Sequence, residues 1–191
     1  DVKIEGFNIE NTTSLDVADS YVNNFYNCWF FRTAYGVKFG PITNANNFYG
    51  CEVRGDREHI NSRLAISLEN AGDGNTFHGG AIENYRDGIK VNGGHFACLG
   101  TYVEGFGSNQ RIWLEKGSLA FKDCLFLALA VIRGGDKFVF EDNRVSWAEG
   151  VLNINYPVIR YENDVPTLLK TSGNTLPADG VLTRYGMYND G

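Results

Sequence analysis

The sequence predicts an all-β fold, a parallel β-helix in which short strands of successive coils stack on one another. Three observations predict it. A six-residue unit recurs seven times, one slot of that unit holds only Gly, Asn or Asp, and residues of opposite character alternate after that slot. A unit that recurs at about 20 to 25 residues is typical of a solenoid.

The unit reads apolar residue, any residue, Gly/Asn/Asp, small residue, any residue, apolar residue. Its copies begin at Ile4, Phe25, Phe48, Phe77, Cys98, Phe121 and Phe140, and these starts lie 21, 23, 29, 21, 23 and 19 residues apart. The Leu-x-x-Leu-x-Leu frame of leucine-rich repeats and the 3.6-residue period of helical repeats are both missing. A parallel β-helix therefore fits the repeat best.

The third slot of the unit is predicted to be a sharp turn. It holds Gly6, Asn27, Gly50, Gly79, Gly100, Asp123 and Asp142. These residue types tolerate positive φ, so we expect a left-handed residue in each copy. After the turn, the fourth and sixth slots face one way and the fifth faces the other. The sixth slot is always large and apolar, so it is predicted to face the core.

Each coil is predicted to carry further strands. Apolar runs follow most copies of the unit, at 36–39, 64–68, 88–91, 112–114, 130–132 and 150–154. The first slot and its neighbours form a third strand in this interpretation. Beyond Ile154 the repeat decays and three prolines interrupt it. We therefore expect a β-helix over residues 1–155, and a cap, a subunit contact or the start of a following domain over residues 156–191.

Charge and composition limit the classes of partner. The net charge of −6 argues against nucleic acid and against anionic membrane surfaces. No apolar run reaches membrane-spanning length, so no membrane insertion is expected. Because the chain opens inside a repeat, we expect it to be a fragment of a longer protein.

The four cysteines are predicted to be buried thiols. Cys28, Cys51 and Cys124 share the inward fourth slot, and Cys98 opens its own unit. Their spacing matches no metal signature, and no cofactor or metal is expected. Cys28 and Cys51 should stack in adjacent coils, so a disulfide between them is an alternative. Free thiols suit a protein that folds in a reducing cytoplasm.

Three stretches resemble a known family. They are Asn-x-Phe-x-Gly-Gly-x-Ile-Glu-Asn at 75–84, Gly-Ile-Lys-Val-x-Gly-Gly at 88–94 and Gly-Thr-Tyr-Val-Glu at 100–104. They look like the right-handed parallel β-helices of bacteriophage tailspikes and related pectate-lyase-like proteins, over about residues 1–155. The resemblance implies a virion-associated tail protein that folds in the host cytoplasm and acts at the bacterial surface. It also implies a homotrimer that contacts a capsule or lipopolysaccharide glycan.

One outer face is predicted to bind sugar. The fifth and seventh positions of each unit should point outward, and on consecutive coils they present Trp29, Phe31, Glu52, Arg54, Glu83, Tyr102 and Glu104. Aromatic rings stack on pyranose faces, and charged groups hydrogen-bond to hydroxyls. An exposed apolar strip at Leu125, Leu127 and Leu129 is predicted to be a subunit contact, unless a loop or residues 156–191 cover it.

Glu83 and Glu104 are the candidate catalytic pair. Adjacent coils lie about 4.8 Å apart, and two carboxylates at that distance raise the pKa of one of them. An acid beside a base suits a glycosidase. Asp87, Asp73 and Glu69 are alternatives for the second carboxylate, and Asp87 is also a candidate substrate-binding residue. The plain alternative is a surface ladder in which Arg54 is the counter-charge.

The predicted function is therefore a polysaccharide depolymerase, an endo-acting glycoside hydrolase that uses Glu83 and Glu104. Trp29 and Tyr102 would be its sugar platforms. A lyase ranks lower, because no compact Asp cluster for calcium accompanies Arg54 and Arg57. A non-catalytic receptor-binding protein or a structural β-helix shaft is the alternative. A charged insertion at 54–63 and a smaller loop at 69–74 are expected to border the working face.

Overall fold

The computed structural model describes residues 2–6, 8–10, 15–17, 19–56, 63–104, 111–146, 158–162, 166–176 and 183–185. Within these residues every regular element is a strand, and every strand pair is parallel. The strands are β1 (Val2–Glu5), β2 (Asn8–Glu10), β3 (Leu15–Val17), β4 (Asn23–Tyr26), β5 (Trp29–Phe31), β6 (Tyr35–Phe39), β7 (Asn47–Tyr49), β8 (Glu52–Arg54), β9 (Leu64–Glu69), β10 (Asn75–His78), β11 (Ala81–Glu83), β12 (Asp87–Leu99), β13 (Tyr102–Glu104), β14 (Arg111–Lys122), β15 (Leu125–Leu127), β16 (Leu129–Ile132), β17 (Lys137–Glu141), β18 (Arg144–Val145), β19 (Ile159–Tyr161), β20 (Leu168–Ser172) and β21 (Thr183–Tyr185).

The strands form three ladders. Ladder A runs β1-β4-β7-β10-β12-β14-β17-β20, ladder B runs β2-β5-β8-β11-β13-β15-β18, and ladder C runs β3-β6-β9-β12-β14-β16-β19-β21. Ladders A and C join into one 14-stranded sheet, because the long strands β12 and β14 each pass through both. The register between these two strands shifts near Asn92, where Gly93 and Gly94 have φ of 103° and 92°. This arrangement is compatible with a parallel β-helix.

The register confirms the predicted repeat. The seven first-slot residues, from Ile4 to Phe140, pair one after another in ladder A. The seven sixth-slot residues, from Ile9 to Val145, do the same in ladder B. All seven third-slot residues have φ between 51° and 64°. The Gly/Asn/Asp pattern therefore marks a left-handed residue between ladders A and B, as the sequence predicts.

Parallel pairing continues beyond residue 155, where the repeat was expected to decay. Strands β19, β20 and β21 extend ladders A and C. Residues 171–176 are a further copy of the unit, because Thr171 pairs with Phe140 and Gly173 has φ of 68°. This copy departs from the repeat pattern because its first slot holds Thr rather than an apolar residue. The strand expected at 150–154 lies outside the described residues.

The core lies between the ladders and is built from stacked side chains. The rings of Phe25 and Phe48 stack with centroids 4.4 Å apart, and Phe77 stacks on Phe48 at 5.7 Å. Facing them, Val53 and Ile82 of ladder B are at most 1% exposed. Each such side chain contributes about 1.5–3 kcal/mol by leaving water. Like residues therefore stack on like residues, as the repeat implies.

The fourth slot has a polar role that the residue pattern alone does not indicate. Its side chain donates a hydrogen bond to the first-slot carbonyl of the preceding unit, from Cys51 to Phe25, Thr101 to Phe77, Cys124 to Cys98, Asn143 to Phe121 and Asn174 to Phe140. Thiol, hydroxyl and amide groups are short donors, which explains why Cys, Thr and Asn occupy a buried slot. Gly80 is an exception, since it has no side chain to donate.

An asparagine ladder closes the turns before ladder A. The Asn46 amide donates to the Asn75 side-chain oxygen at 3.1 Å, and the Asn75 amide donates to the Thr43 carbonyl at 3.0 Å. The Asn23 amide in turn donates to the Asn46 side-chain oxygen at 2.8 Å. Each Asn lies two residues before a first-slot Phe. The pattern is visible in the sequence, and its buried amides fix the turns in register.

All four cysteines are buried free thiols, so the thiol prediction is confirmed and the alternative disulfide is not formed. The Cys28 backbone N–H donates to the Cys51 sulfur at 3.4 Å, which places the two residues in adjacent positions as expected. Burial raises the pKa of Cys51 to about 12 and that of Cys124 to about 11. Burial also raises the pKa of Cys98 well above its usual value.

We expect these four thiols not to react with a thiol reagent at pH 8 while the protein is folded. All four thiols are buried away from the reagent, and burial disfavours the reactive thiolate of Cys51, Cys98 and Cys124. Four equivalents should react with Ellman's reagent after denaturation in guanidinium chloride. Because the unfolded thiols ionise near pH 8.5, we expect stability to fall as the pH rises from there toward about 12. Rapid reaction of the native protein would contradict this placement of the thiols.

Candidate functional site

The outer face of ladder B carries the row of side chains that the repeat predicts. The fifth-slot residues pair in the order Asn8, Trp29, Glu52, Ala81, Tyr102, Leu125 and Arg144. The seventh-position residues pair in the order Glu10, Phe31, Arg54 and Glu83. The two rows run side by side, with the buried sixth slot between them. The five predicted substrate-binding residues other than Asp87 therefore share this face with Glu83 and Glu104, apart from the differences given below.

Trp29 is the most open ring on this face. This residue is 55% exposed at the start of β5, and its neighbour on the next strand is Glu52 rather than another ring. Phe31 differs, because the Arg32 guanidinium lies 4.9 Å from the centre of its ring and covers it. Of these two predicted aromatic contacts, Trp29 has the geometry of a stacking platform and Phe31 does not.

Arg54 and Glu83 form an ion pair across neighbouring strands. The Arg54 Nε lies 2.7 Å from the Glu83 Oε1. The Glu83 side chain is only 10% exposed, although its position was expected to point outward, whereas the Arg54 side chain is 47% exposed. The guanidinium covers the carboxylate and stabilises its ionised form. A second pair beside it joins Arg32 to Asp56 at 3.1 Å.

Tyr102 and Glu104 form a second polar unit on β13. The Tyr102 hydroxyl donates a hydrogen bond of 2.6 Å to the Glu104 Oε2, and both side chains are half-buried. The bond fixes the carboxylate and the ring relative to each other. A half-buried carboxylate held in this way can accept hydrogen bonds from ligand hydroxyls.

Glu83 and Glu104 lie on adjacent strands but are held by different groups. Strands β11 and β13 pair through Ala81 with Tyr102 and through Ile82 with Val103. The Glu83 carboxylate binds Arg54, and the Glu104 carboxylate accepts from Tyr102. An arginine that balances a carboxylate is what we expect if these side chains form only a row of paired surface charges, without catalysis. The same contacts also keep two carboxylates oriented on one face.

The other acidic candidates lie elsewhere. Asp87 is the first residue of β12, opposite Leu64 in ladder C, after the chain turns at Asn84 with φ of 65°. Glu69 accepts from the Asn92 amide at 2.9 Å, and Asp73 lies 3.3 Å from His95. The structure thus brings Trp29, Glu52, Arg54, Glu83, Tyr102 and Glu104 together on ladder B and places Asp87, Asp73 and Glu69 on ladder C or the turn after it.

A shallow cavity of about 200 Å³ on the outside of ladder A was not predicted. Its floor is formed by Thr76, Ala97 and Ala120, and Lys137 and His95 border it. The signal in the sequence is the run of small residues one position before the first slot.

A stack of rings lies beside this cavity. Tyr26, Tyr49 and His78 stack with centroids 4.9 and 4.7 Å apart, so that they cover one another's faces and turn their edges outward. His78 also hydrogen-bonds to the Thr76 hydroxyl at 2.8 Å, and burial lowers its pKa. These contacts give His78 a packing role beside the turn.

In the described part of the chain, no group of three or more His, Cys, Asp or Glu side chains is arranged to hold a metal ion. Nor do the described ranges contain a helix long and apolar enough to cross a membrane. The residues 57–62 of the charged insertion lie outside the described residues. Comparisons with protein-family models, with curated proteins and with solved structures return no match.

Proposed function

We propose that the chain is a right-handed parallel β-helix of about seven coils and forms part of a virion-associated tailspike or tail fibre. In this proposal the outer face of ladder B binds a bacterial capsule or lipopolysaccharide glycan. One observation carries it. The Trp29 ring is open on a rigid parallel sheet, with Glu52 on the next strand and the Tyr102–Glu104 unit on the same face.

The dimensions of the face suit an extended ligand. Trp29 and Tyr102 belong to the same row and lie three strands apart, a span of about 14 Å. Glu52 and the small Ala81 lie between them, which leaves room above the sheet. A glycan chain that crosses the strands would stack on the ring at one end and hydrogen-bond to carboxylates along its length. Stacking with a few well-placed polar groups is typical of small-ligand sites.

Hydrolysis is the second candidate function, and the placement of Glu83 and Glu104 on adjacent strands favours it. In a hydrolase Glu83, which is ion-paired with Arg54, would act as the nucleophile or base, and Glu104 on the adjacent strand would complete the pair. A lyase would use an arginine as the base. Arg54 is ion-paired at 2.7 Å, which favours a hydrolase over a lyase. In the non-catalytic alternative the same carboxylates only contact the glycan, or the face belongs to a structural shaft.

A homotrimer belongs to the same proposal. The resemblance to tailspikes supports it, as do the half-buried outward side chains of Leu125 and Leu127 on β15. An apolar pair on the outside of a sheet suits a subunit contact. The face around Trp29 lies on the same ladder, five strands from β15 counting both ends. Tyr102 and Glu104 pair directly with Leu125 and Leu127, so the subunit contact would border the glycan face at that end.

The test is a reducing-end assay on a panel of bacterial capsule and O-antigen polysaccharides, combined with a binding assay on the same panel. Wild type is compared with Glu83→Gln and Glu104→Gln. If the pair is catalytic, both variants should lose at least about 100-fold in cleavage rate while glycan binding is kept. Glu69→Gln, on ladder C, should cleave at the wild-type rate.

Each outcome decides between the functions. Cleavage by wild type that survives in both Gln variants would contradict the catalytic role of the pair. Binding of a glycan without cleavage would assign the face to receptor attachment. Failure to bind any glycan in the panel would contradict the proposed function.

A further inference from the structure

The outer face of ladder B has more negative than positive charge. Between β5 and β13 its described charged side chains and their ion-pair partners are four carboxylates and two guanidinium groups, namely Glu52, Asp56, Glu83, Glu104, Arg32 and Arg54. Both guanidinium groups bind a carboxylate, at 3.1 and 2.7 Å. An anionic group of a ligand would have to compete with those carboxylates for either arginine.

The carboxylates lie next to the two aromatic residues that would contact sugar. Glu52 pairs directly with Trp29 on the neighbouring strand, so its backbone lies about 4.8 Å away. Glu104 is bound by the Tyr102 hydroxyl. A sugar ring at either position therefore lies within a few ångströms of a negative charge. Its hydroxyl groups can donate to that charge, but a sugar carboxylate cannot.

Repulsion at these distances is large enough to select between ligands. Two like charges about 6 Å apart in water disfavour binding by about threefold, so an acidic repeat that meets both carboxylates loses about tenfold. The net charge of −6 on the whole chain acts in the same direction. The interaction is screened over about 8 Å at physiological ionic strength, so it should weaken further in strong salt.

We infer that this face selects uncharged polysaccharides and discriminates against those with uronic or other acidic sugars. The inference rests on the proposed function, since it names the class of glycan for that same face. Glu52 is the residue that sets the discrimination beside Trp29. Hydroxyl groups of an uncharged sugar can donate hydrogen bonds to the Glu52 carboxylate. A carboxylate on the sugar would instead repel it, because the two groups carry the same charge.

The test uses pairs of polysaccharides that differ only in charge. Each acidic member of a panel of capsule and O-antigen polysaccharides is immobilised in its native form and after chemical reduction of its carboxyl groups to alcohols. Binding of wild type, Glu52→Gln and Asp16→Asn is measured at 0.05 M and 0.5 M NaCl. Asp16→Asn also removes one negative charge, but from an exposed position on ladder C.

We expect wild type to bind the uncharged polysaccharides of the panel. At low salt it should bind each carboxyl-reduced form about tenfold more tightly than the native acidic form. The difference should shrink at high salt and in Glu52→Gln, and Asp16→Asn should behave as wild type. Native acidic forms that bind as tightly as their reduced forms would overturn the inference and leave glycan binding intact. Absence of binding to every member, uncharged ones included, would overturn the proposed function together with the inference.

Discussion

Ile82→Asp is expected to prevent folding. Ile82 is 1% exposed and lies in ladder B between Val53 and Val103, whose side chains are equally buried. An aspartate there would bury an unpaired charge among apolar neighbours, at a cost of about 4–5 kcal/mol or more. That cost is comparable to the whole stability of many domains. Soluble yield, far-UV circular dichroism and urea denaturation would measure the effect, and Val53→Asp and Val103→Asp should behave alike.

The matched control is Ala81→Asp, one residue earlier on the same strand. Ala81 points outward between Glu52 and Tyr102 and is half-buried. An aspartate at that position keeps access to water, so we expect a cost of about 1 kcal/mol, mostly from repulsion by Glu52. A soluble and fully folded Ile82→Asp protein would show that the sixth slot does not face the core.

Gly80→Ala is expected to cost about 3 kcal/mol or more. Gly80 has φ of 64°, and a Cβ there would lie 1.9 Å from the backbone oxygen of Cys51. That oxygen accepts the Ala81 N–H at 3.1 Å, so the clash would break a bond that holds β11 to β8. The left-handed conformation adds about 1–2 kcal/mol for a residue with a side chain. Urea denaturation of the purified variant, or its failure to fold, would measure the loss.

Gly79→Asn is the control at the neighbouring residue. Gly79 has φ of 63°, but no atom lies within 4 Å of its would-be Cβ. Asn27 occupies the equivalent third slot in an earlier unit with φ of 51°. We therefore expect a change within about 1 kcal/mol. Equal losses at Gly79 and Gly80 would show that left-handed strain, rather than the close approach of Cys51, is the cause.

The register of the ladders could be predicted from the sequence because each slot of the unit has one dominant physical requirement. Positive φ restricts the third slot to Gly, Asn and Asp, and burial restricts the sixth to large apolar residues. The fourth slot mixes Cys, Thr and Asn, whose shared property is a short hydrogen-bond donor rather than hydrophobicity. The requirement for an apolar first slot likewise excludes the copy at Thr171, which lies in the last described strand of ladder A.

The sequence predicts which residues lie on this face better than it predicts how their side chains contact one another. Sequence spacing placed Glu83 and Arg54 in one row, but it could not show that Arg54 would cover the carboxylate and bind it at 2.7 Å. It also could not show that Arg32 would cover the ring of Phe31. Both outcomes depend on side-chain direction across strands. Asp87 was expected near Glu83 because it is close in sequence, and the turn at Asn84 moves it to ladder C.

The outer face of ladder B is proposed to bind glycan through Trp29. The most direct test is equilibrium binding of the polysaccharide panel to wild type, Trp29→Ala and Trp113→Ala. Trp113 is the control, since its ring lies on ladder C beneath the Arg133 guanidinium at 4.0 Å. We expect Trp29→Ala to remain folded and to lose at least about tenfold in affinity for every glycan that wild type binds, and Trp113→Ala to keep wild-type affinity. Unchanged affinity in Trp29→Ala would contradict the claim.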